Sequence, residues 1–197
     1  MNAKAGIFSL VALCAATLST AAQAHTGAGA TTGALYGFLH PLGGIDHLLA
    51  MVAVGMFAFL LRGRALWLVP AAFVGTMAVG GIAGFAELQI PFVEAGIALS
   101  VIVIGGLVAA GRSLPLAAAM AVVGLFAVFH GHAHGTEMPE TASGIAYGMG
   151  FMAATALLHA AGIALGYGAA LLSDARLLRA GGAVVSLAGL AIVGGLI

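Results

Sequence analysis

The sequence predicts an all-α integral membrane protein, a bundle of six transmembrane helices preceded by a cleavable signal peptide. Three observations predict it. Hydrophobic residues make up 62% of the chain and charged residues only 6%, against roughly 25% charged in a soluble domain. Mean hydropathy is +1.18, which places most of the surface against lipid. Glycine is 31 of 197 residues, too many for soluble helices but common where membrane helices approach closely. A net charge of zero removes any electrostatic case for a nucleic-acid partner.

Residues 1–24 read as the signal peptide. Lys4 supplies the positive start, Ile7 to Leu18 the short apolar core, and Ala22-Gln23-Ala24 the small-residue cleavage site. The alternative, an uncleaved first helix, suffers from a core too short to span comfortably. Cys14 is the single cysteine and leaves with the leader. The mature chain, 25–197, is then one transporter-like transmembrane unit without thiolate ligands or disulfides. It begins at His25, whose imidazole and free α-amine together can chelate a divalent metal. The bland alternative is a solvated leader, because residues 26–32 are all small.

Six apolar segments follow, at about 36–61, 65–85, 92–110, 114–129, 143–172 and 181–197. No break between them is long enough for a soluble domain. The fifth exceeds what a straight crossing needs, so it is expected to tilt, to break at Gly162 or Gly166, or to project from the membrane. Orientation follows from charge. With the mature N-terminus outside, Arg62, Arg64, Arg112, Arg176 and Arg179 all fall in cytoplasmic breaks, as the positive-inside rule requires. Glu87, Glu94, Glu137 and Glu140 fall outside. This predicts a multi-pass protein of the bacterial inner membrane with both mature ends periplasmic. The pairs Gly80/Gly84, Gly144/Gly148 and Gly162/Gly166 set small residues one turn apart, where backbones can meet.

Two polar stretches interrupt the apolar pattern. At the head of the first segment stand His40, Asp46 and His47. Closing the fourth is Phe129-His130-Gly131-His132-Ala133-His134-Gly135-Thr136-Glu137. There His130, His134 and Glu137 share one face if the helix continues that far, while His132 points elsewhere. Asp46 stands 16 residues before Arg62 and His130 stands 18 after Arg112, which is ~24 and ~27 Å of helix. Both clusters therefore sit near the outer rim of a ~30 Å hydrocarbon layer, where they can converge on one ion. Imidazole and carboxylate without thiolate suit Ni²⁺, Co²⁺, Zn²⁺ or Fe²⁺. The bland alternative is a solvated, histidine-rich loop, but ionisable groups at membrane depth need a partner or a function.

Other residues divide between two readings. Glu94 either complements the dipole of a helix first turn or adds a carboxylate at the outer entrance. His159, deep in the fifth segment with Met152 on its face, is either a ligand further along a path or a core histidine bonded to a backbone carbonyl. Met51 follows His47 by one turn and reads as packing.

His40-x5-Asp46-His47 together with Phe129-His130-Gly131-x-Ala133-His134-Gly135-x-Glu137 resembles the HupE/UreJ family, and the resemblance runs over essentially the whole chain. It implies a nickel permease, of a kind often associated with hydrogenase or urease maturation, with cobalt as the cargo of some members. By resemblance His40, Asp46, His47, His134 and Glu137 inherit a role in nickel transport. Phe73 and Glu94 stand where the family places further functional residues. The reading is a secondary transporter, not an enzyme, with no resident cofactor and the ion itself as substrate. The chain has no Walker A motif, so no ATP is expected to be consumed. The alternative from another class is an intramembrane zinc hydrolase, with three histidines and an aspartate around a metal-bound water and Ser100 or Ser143 as accessory group.

Overall fold

The computed structural model describes residues 33–138 and 144–197. The signal peptide, its cleavage site, His25, Glu140 and Ser143 lie outside the described residues. Those residues form seven α-helices and no strand. They are α1 (Gly33–Gly43), α2 (Ile45–Leu61), α3 (Ala65–Phe85), α4 (Val93–Ala110), α5 (Leu116–Thr136), α6 (Gly144–Leu171) and α7 (Ala175–Val193). The last five are long and apolar enough to cross a membrane, and α1 with α2 passes only as a pair.

The first apolar segment is therefore not one continuous helix. It bends by 86° between α1 and α2. The cause is local. Pro41 sits near the end of α1, and Gly43-Gly44 follows with the lowest helix propensity short of proline. Gly44 adopts an extended conformation (φ −102°, ψ 121°). Helix α2 then restarts, with Asp46 Oδ1 accepting the backbone N–H of His47 at 2.7 Å and relieving one orphan donor of the new first turn.

Two other boundaries differ from the pattern in the sequence. Helix α6 runs unbroken for 28 residues, ~42 Å, with no break at Gly162 or Gly166. Those glycines are contact points instead. A Cβ at Gly162 would overlap the backbone of Val52 and one at Gly166 the ring of Phe59, both on α2. The last helix starts at Ala175 and not near Gly181, because the Asp174 carboxylate caps it by accepting the Arg176 N–H at 2.9 Å. Arg176 and Arg179 thus ride on the first turns of α7 and are not in a loop. Arg179 Nε donates to Ala109 O at the end of α4 (2.9 Å), so these arginines share one end of the bundle with Arg112.

Helix α3 packs along α5, α4 along α7, and α6 along both α1 and α2. Glycine makes the first of these contacts possible. Gly80 and Gly84 face the backbone of α5, while Gly131 and Gly135 face the backbone of α3. Gly148, by contrast, has nothing within 4 Å of a Cβ position, so Gly144/Gly148 builds no such seam. Burial is partly inverted relative to a soluble protein. Trp67 is 78% and Ile145 80% exposed, while Ser100, His130, Thr155 and His159 are buried. Large apolar side chains cover the outside as well as the core, and the few polar ones within the helices turn to the axis, as a lipid solvent requires.

Candidate metal centre

The bend at Gly44 decides the geometry of the polar end. By folding α1 across the head of α2, it returns His40 over the top of α5. The imidazoles then form a string. The His40 and His134 ring centroids are 4.7 Å apart, His134 and His47 4.4 Å, and His47 and His130 4.7 Å. Because α5 continues to Thr136, His130 and His134 lie one turn apart on the face turned to α2. Residues distant in sequence, 40 and 47 against 130 and 134, thus interleave.

Hydrogen bonds fix which nitrogens are available. The carboxylate of Asp46 can only accept, so His47 Nδ1–H donates to Asp46 Oδ1 at 2.7 Å. That leaves His47 Nε2 with a lone pair, buried and without a partner among the described residues. Ser100 donates its hydroxyl to Ile97 O at 2.6 Å, so its oxygen accepts from His130 Nε2–H at 2.9 Å. His130 Nδ1 is then the free lone pair, and it too is buried and unpartnered. Neither nitrogen of His134 has a partner among the described residues. Each such buried nitrogen would cost on the order of 1–3 kcal/mol if nothing met it. A cation at the string can meet one lone pair of a ring at a time, and the partner on the other ring nitrogen is how ligating histidines are held.

The upper part of the string includes a carboxylate. His40 Nε2 stands 3.3 Å from Glu137 Oε2, and the ligand atoms of His40, His134 and Glu137 all lie within 4.8 Å of one another. Two ligands facing each other across an ion at ~2.1 Å each stand ~4.2 Å apart. Small rotations therefore close this set on a metal. Tyr36 and Tyr147 flank the His40 ring, and Phe151 packs 4.0 Å from His134 by centroid.

The remaining sequence candidates fall in different places. His132 leaves the string, as its position on α5 requires. Its Nε2–H donates to Leu88 O at 2.6 Å, and it lines a cavity of about 540 Å³ with Glu87, Gln89 and Met138 on the flank between α3 and α5. Glu94 is exposed in the first turn of α4, with no polar contact to the histidines among the described residues. Phe73 is fully buried on α3, with its ring 5.6 Å from His130 and 5.1 Å from His159. His159 makes no carbonyl hydrogen bond among the described residues, and both of its nitrogens are buried without a partner there.

Tyr147, Phe151 and Thr155 were not singled out in the sequence, and the role of Ser100 was not read from it. Ser100, weighed only as an accessory to hydrolysis, is the group that orients His130. Its signal was a lone hydroxyl in the middle of an apolar helix. Tyr147, Phe151, Thr155 and His159 recur every fourth residue on α6 and are all buried, a stripe visible in the sequence once the helix is known to be unbroken.

A family model described as HupE / UreJ protein matches residues 12–192. Protein HupE of Rhizobium leguminosarum bv. viciae is 47% identical over 186 residues, covering 93% of this chain and 95% of that protein. No solved structure matches. The helices that carry His40 and His47, those that carry His130 to Glu137, and the long helix with His159 all lie within the matched span, and this multi-pass membrane chain belongs to the HupE/UreJ family.

Proposed function

We propose that the chain is a secondary transporter that takes up a divalent transition metal, Ni²⁺ first and Co²⁺ second, from periplasm to cytoplasm. One observation carries the reading. Four imidazoles in van der Waals succession, His40, His134, His47 and His130, run inward from Glu137, and the last three carry buried nitrogens with no partner among the described residues. Nitrogen and carboxylate donors without thiolate suit nickel and cobalt, and the family resemblance makes nickel the first ion to test. A histidine string reaching into a bundle lets an ion exchange ligands stepwise, which a transport path needs.

In this account Glu137, His40 and His134 receive the ion at the periplasmic mouth, with His25 as a further donor if the leader is removed after Ala24. Asp46, through the Nδ1 of His47, holds that ring so that its Nε2 faces the path. The α1–α2 pair counts as one broken span, giving six spans in the inner membrane with both mature ends periplasmic. The arginine end is then cytoplasmic. No ATP, nucleic acid or resident cofactor takes part. A 2+ ion moving to a negative interior gains ~4.6 kcal/mol per 100 mV, enough for uphill accumulation. The zinc-hydrolase alternative calls for one closed site with a single open position. The donors are instead strung over four rings, and the Ser100 hydroxyl is engaged with Ile97 and His130.

The test is ⁶³Ni²⁺ uptake into proteoliposomes under an imposed inside-negative potential, with Co²⁺ and Zn²⁺ as competitors. Saturable uptake lost in Asp46→Asn and His47→Ala is the expected result. Tight metal binding without flux would overturn the transport reading.

A further inference from the structure

The four-ring string stops at His130, yet a fifth imidazole lies beyond it. His159 is only 1% exposed and has no hydrogen-bond partner at either nitrogen among the described residues. Two rulers give its depth. A Cβ at Gly55 would overlap the backbone oxygen of His159, and Gly55 is eight residues beyond His47 on α2. On α6, His159 is likewise eight residues beyond Phe151, the ring packed on His134. Either count puts it ~12 Å further in, near the middle of α6. An imidazole at that depth without a partner is costly and marks a pathway by default.

One ring neighbours both this imidazole and the end of the outer string. The Phe73 ring centroid is 5.6 Å from that of His130 and 5.1 Å from that of His159, the latter edge-on at 86°. Beside this ring the wall is not wholly apolar. Thr155, one turn from His159, donates to Met77 Sδ at 3.7 Å, and Met77 is one turn from Phe73 on α3. The corridor on either side of Phe73 therefore offers imidazole, hydroxyl and thioether groups that a transition metal can use in passing.

We propose that His159 is an inner relay ligand for the metal, and that the Phe73 ring is the barrier between it and the outer string. The ion is handed from His130 to His159 when that ring turns aside. This rests on the transport reading and deepens it by adding a second site and naming the barrier between the two.

The test uses the full chain in a Cys14→Ala background. Replacing His159→Cys puts a thiolate donor at the inner position, and Co²⁺ reaching it gives a thiolate-to-metal charge-transfer band in the near ultraviolet. In parallel, His159→Ala is assayed for Ni²⁺ flux in proteoliposomes and for equilibrium Ni²⁺ binding at the outer string. The expected result is the band in His159→Cys, with flux in His159→Ala down about tenfold or more. Outer-site affinity should change far less than flux, since His47 and His134 stand ~12 Å from position 159 and only His130 shares the Phe73 ring with it. Phe73→Ala should let Co²⁺ reach Cys at 159 faster than the same variant with Phe73 intact. Should His159→Ala also lose outer-site binding, His159→Gln replaces it under the same two criteria. Wild-type flux in a His159 variant that folds, or no band while Co²⁺ fills the outer string, would overturn the relay. Absence of flux in the unsubstituted protein would instead overturn transport, and the band would still report whether metal reaches position 159.

Discussion

Removing one hydroxyl should weaken metal binding without touching a ligand. In Ser100→Ala, the Ile97 carbonyl keeps its place in the α4 ladder, so the loss is confined to His130, whose Nε2–H loses its acceptor at 2.9 Å. Both groups are fully buried, and no water from the membrane replaces the hydroxyl. A buried donor left unmet costs on the order of 1–3 kcal/mol. The ring can escape that cost by moving its proton to Nδ1, the nitrogen that must be bare to bind metal. Affinity for Ni²⁺ should therefore fall by about 5- to 100-fold, in the range seen when the partners of ligating histidines are removed. Equilibrium dialysis of Ni²⁺ against the purified protein measures this directly, and Ser100→Thr, which keeps the hydroxyl, should recover most of the affinity. Unchanged Ni²⁺ affinity in Ser100→Ala would refute the assignment of His130 as a ligand held through Nε2.

Other consequences follow from the same geometry. Ni²⁺ uptake should fall as pH drops through about 6, because a protonated imidazole has no lone pair to offer; uptake held constant from about pH 7.5 to 5 contradicts histidine ligation. Gly162→Ala should lower thermal stability in detergent by on the order of 1–3 kcal/mol, since its Cβ meets the α2 backbone. Gly148→Ala, with open space around it, should stay within about 0.5 kcal/mol of the parent. The single tryptophan, Trp67, is 78% exposed on α3, so lipids brominated along their acyl chains should quench its fluorescence, and lack of quenching would place that face against protein.

Much of this architecture is legible in the sequence because lipid imposes a simple rule: apolar runs become helices and the charges between them become ends. Helix α3 and the close of α4 follow that rule almost to the residue. It fails where short-range chemistry overrides the apolar pattern. Pro41 and Gly43-Gly44 are too few to interrupt a hydropathy profile, yet they turn α1 by 86° and bring His40 to Glu137. Gly181-Gly182 reads as a break, but a Cβ at Gly182 would press on Ala109 and Val108 of α4 and one at Gly181 on Met56 of α2, so these glycines serve helix packing while Asp174 sets the true start. For the site, residue types and matched depth pointed to His40, Asp46, His47, His130, His134 and Glu137 as one group. The order of rings along the string was not legible, because it depends on the bend and on side-chain hydrogen bonds between helices. The role of Ser100 toward His130 was not legible for the same reason: its partner lies 30 residues away on another helix.

The central claim is that His130 and His134 belong to a path, and that the stretch Phe129 to Glu137 is not a loop that binds metal incidentally. The stretch contains its own control. His134 touches His40 and His47, whereas His132, two residues away, turns to Leu88 on the other flank. Ni²⁺ flux into proteoliposomes, compared between His134→Ala and His132→Ala, separates the two accounts. A path predicts that flux is abolished in the first and retained in the second, and equal losses in both would contradict it.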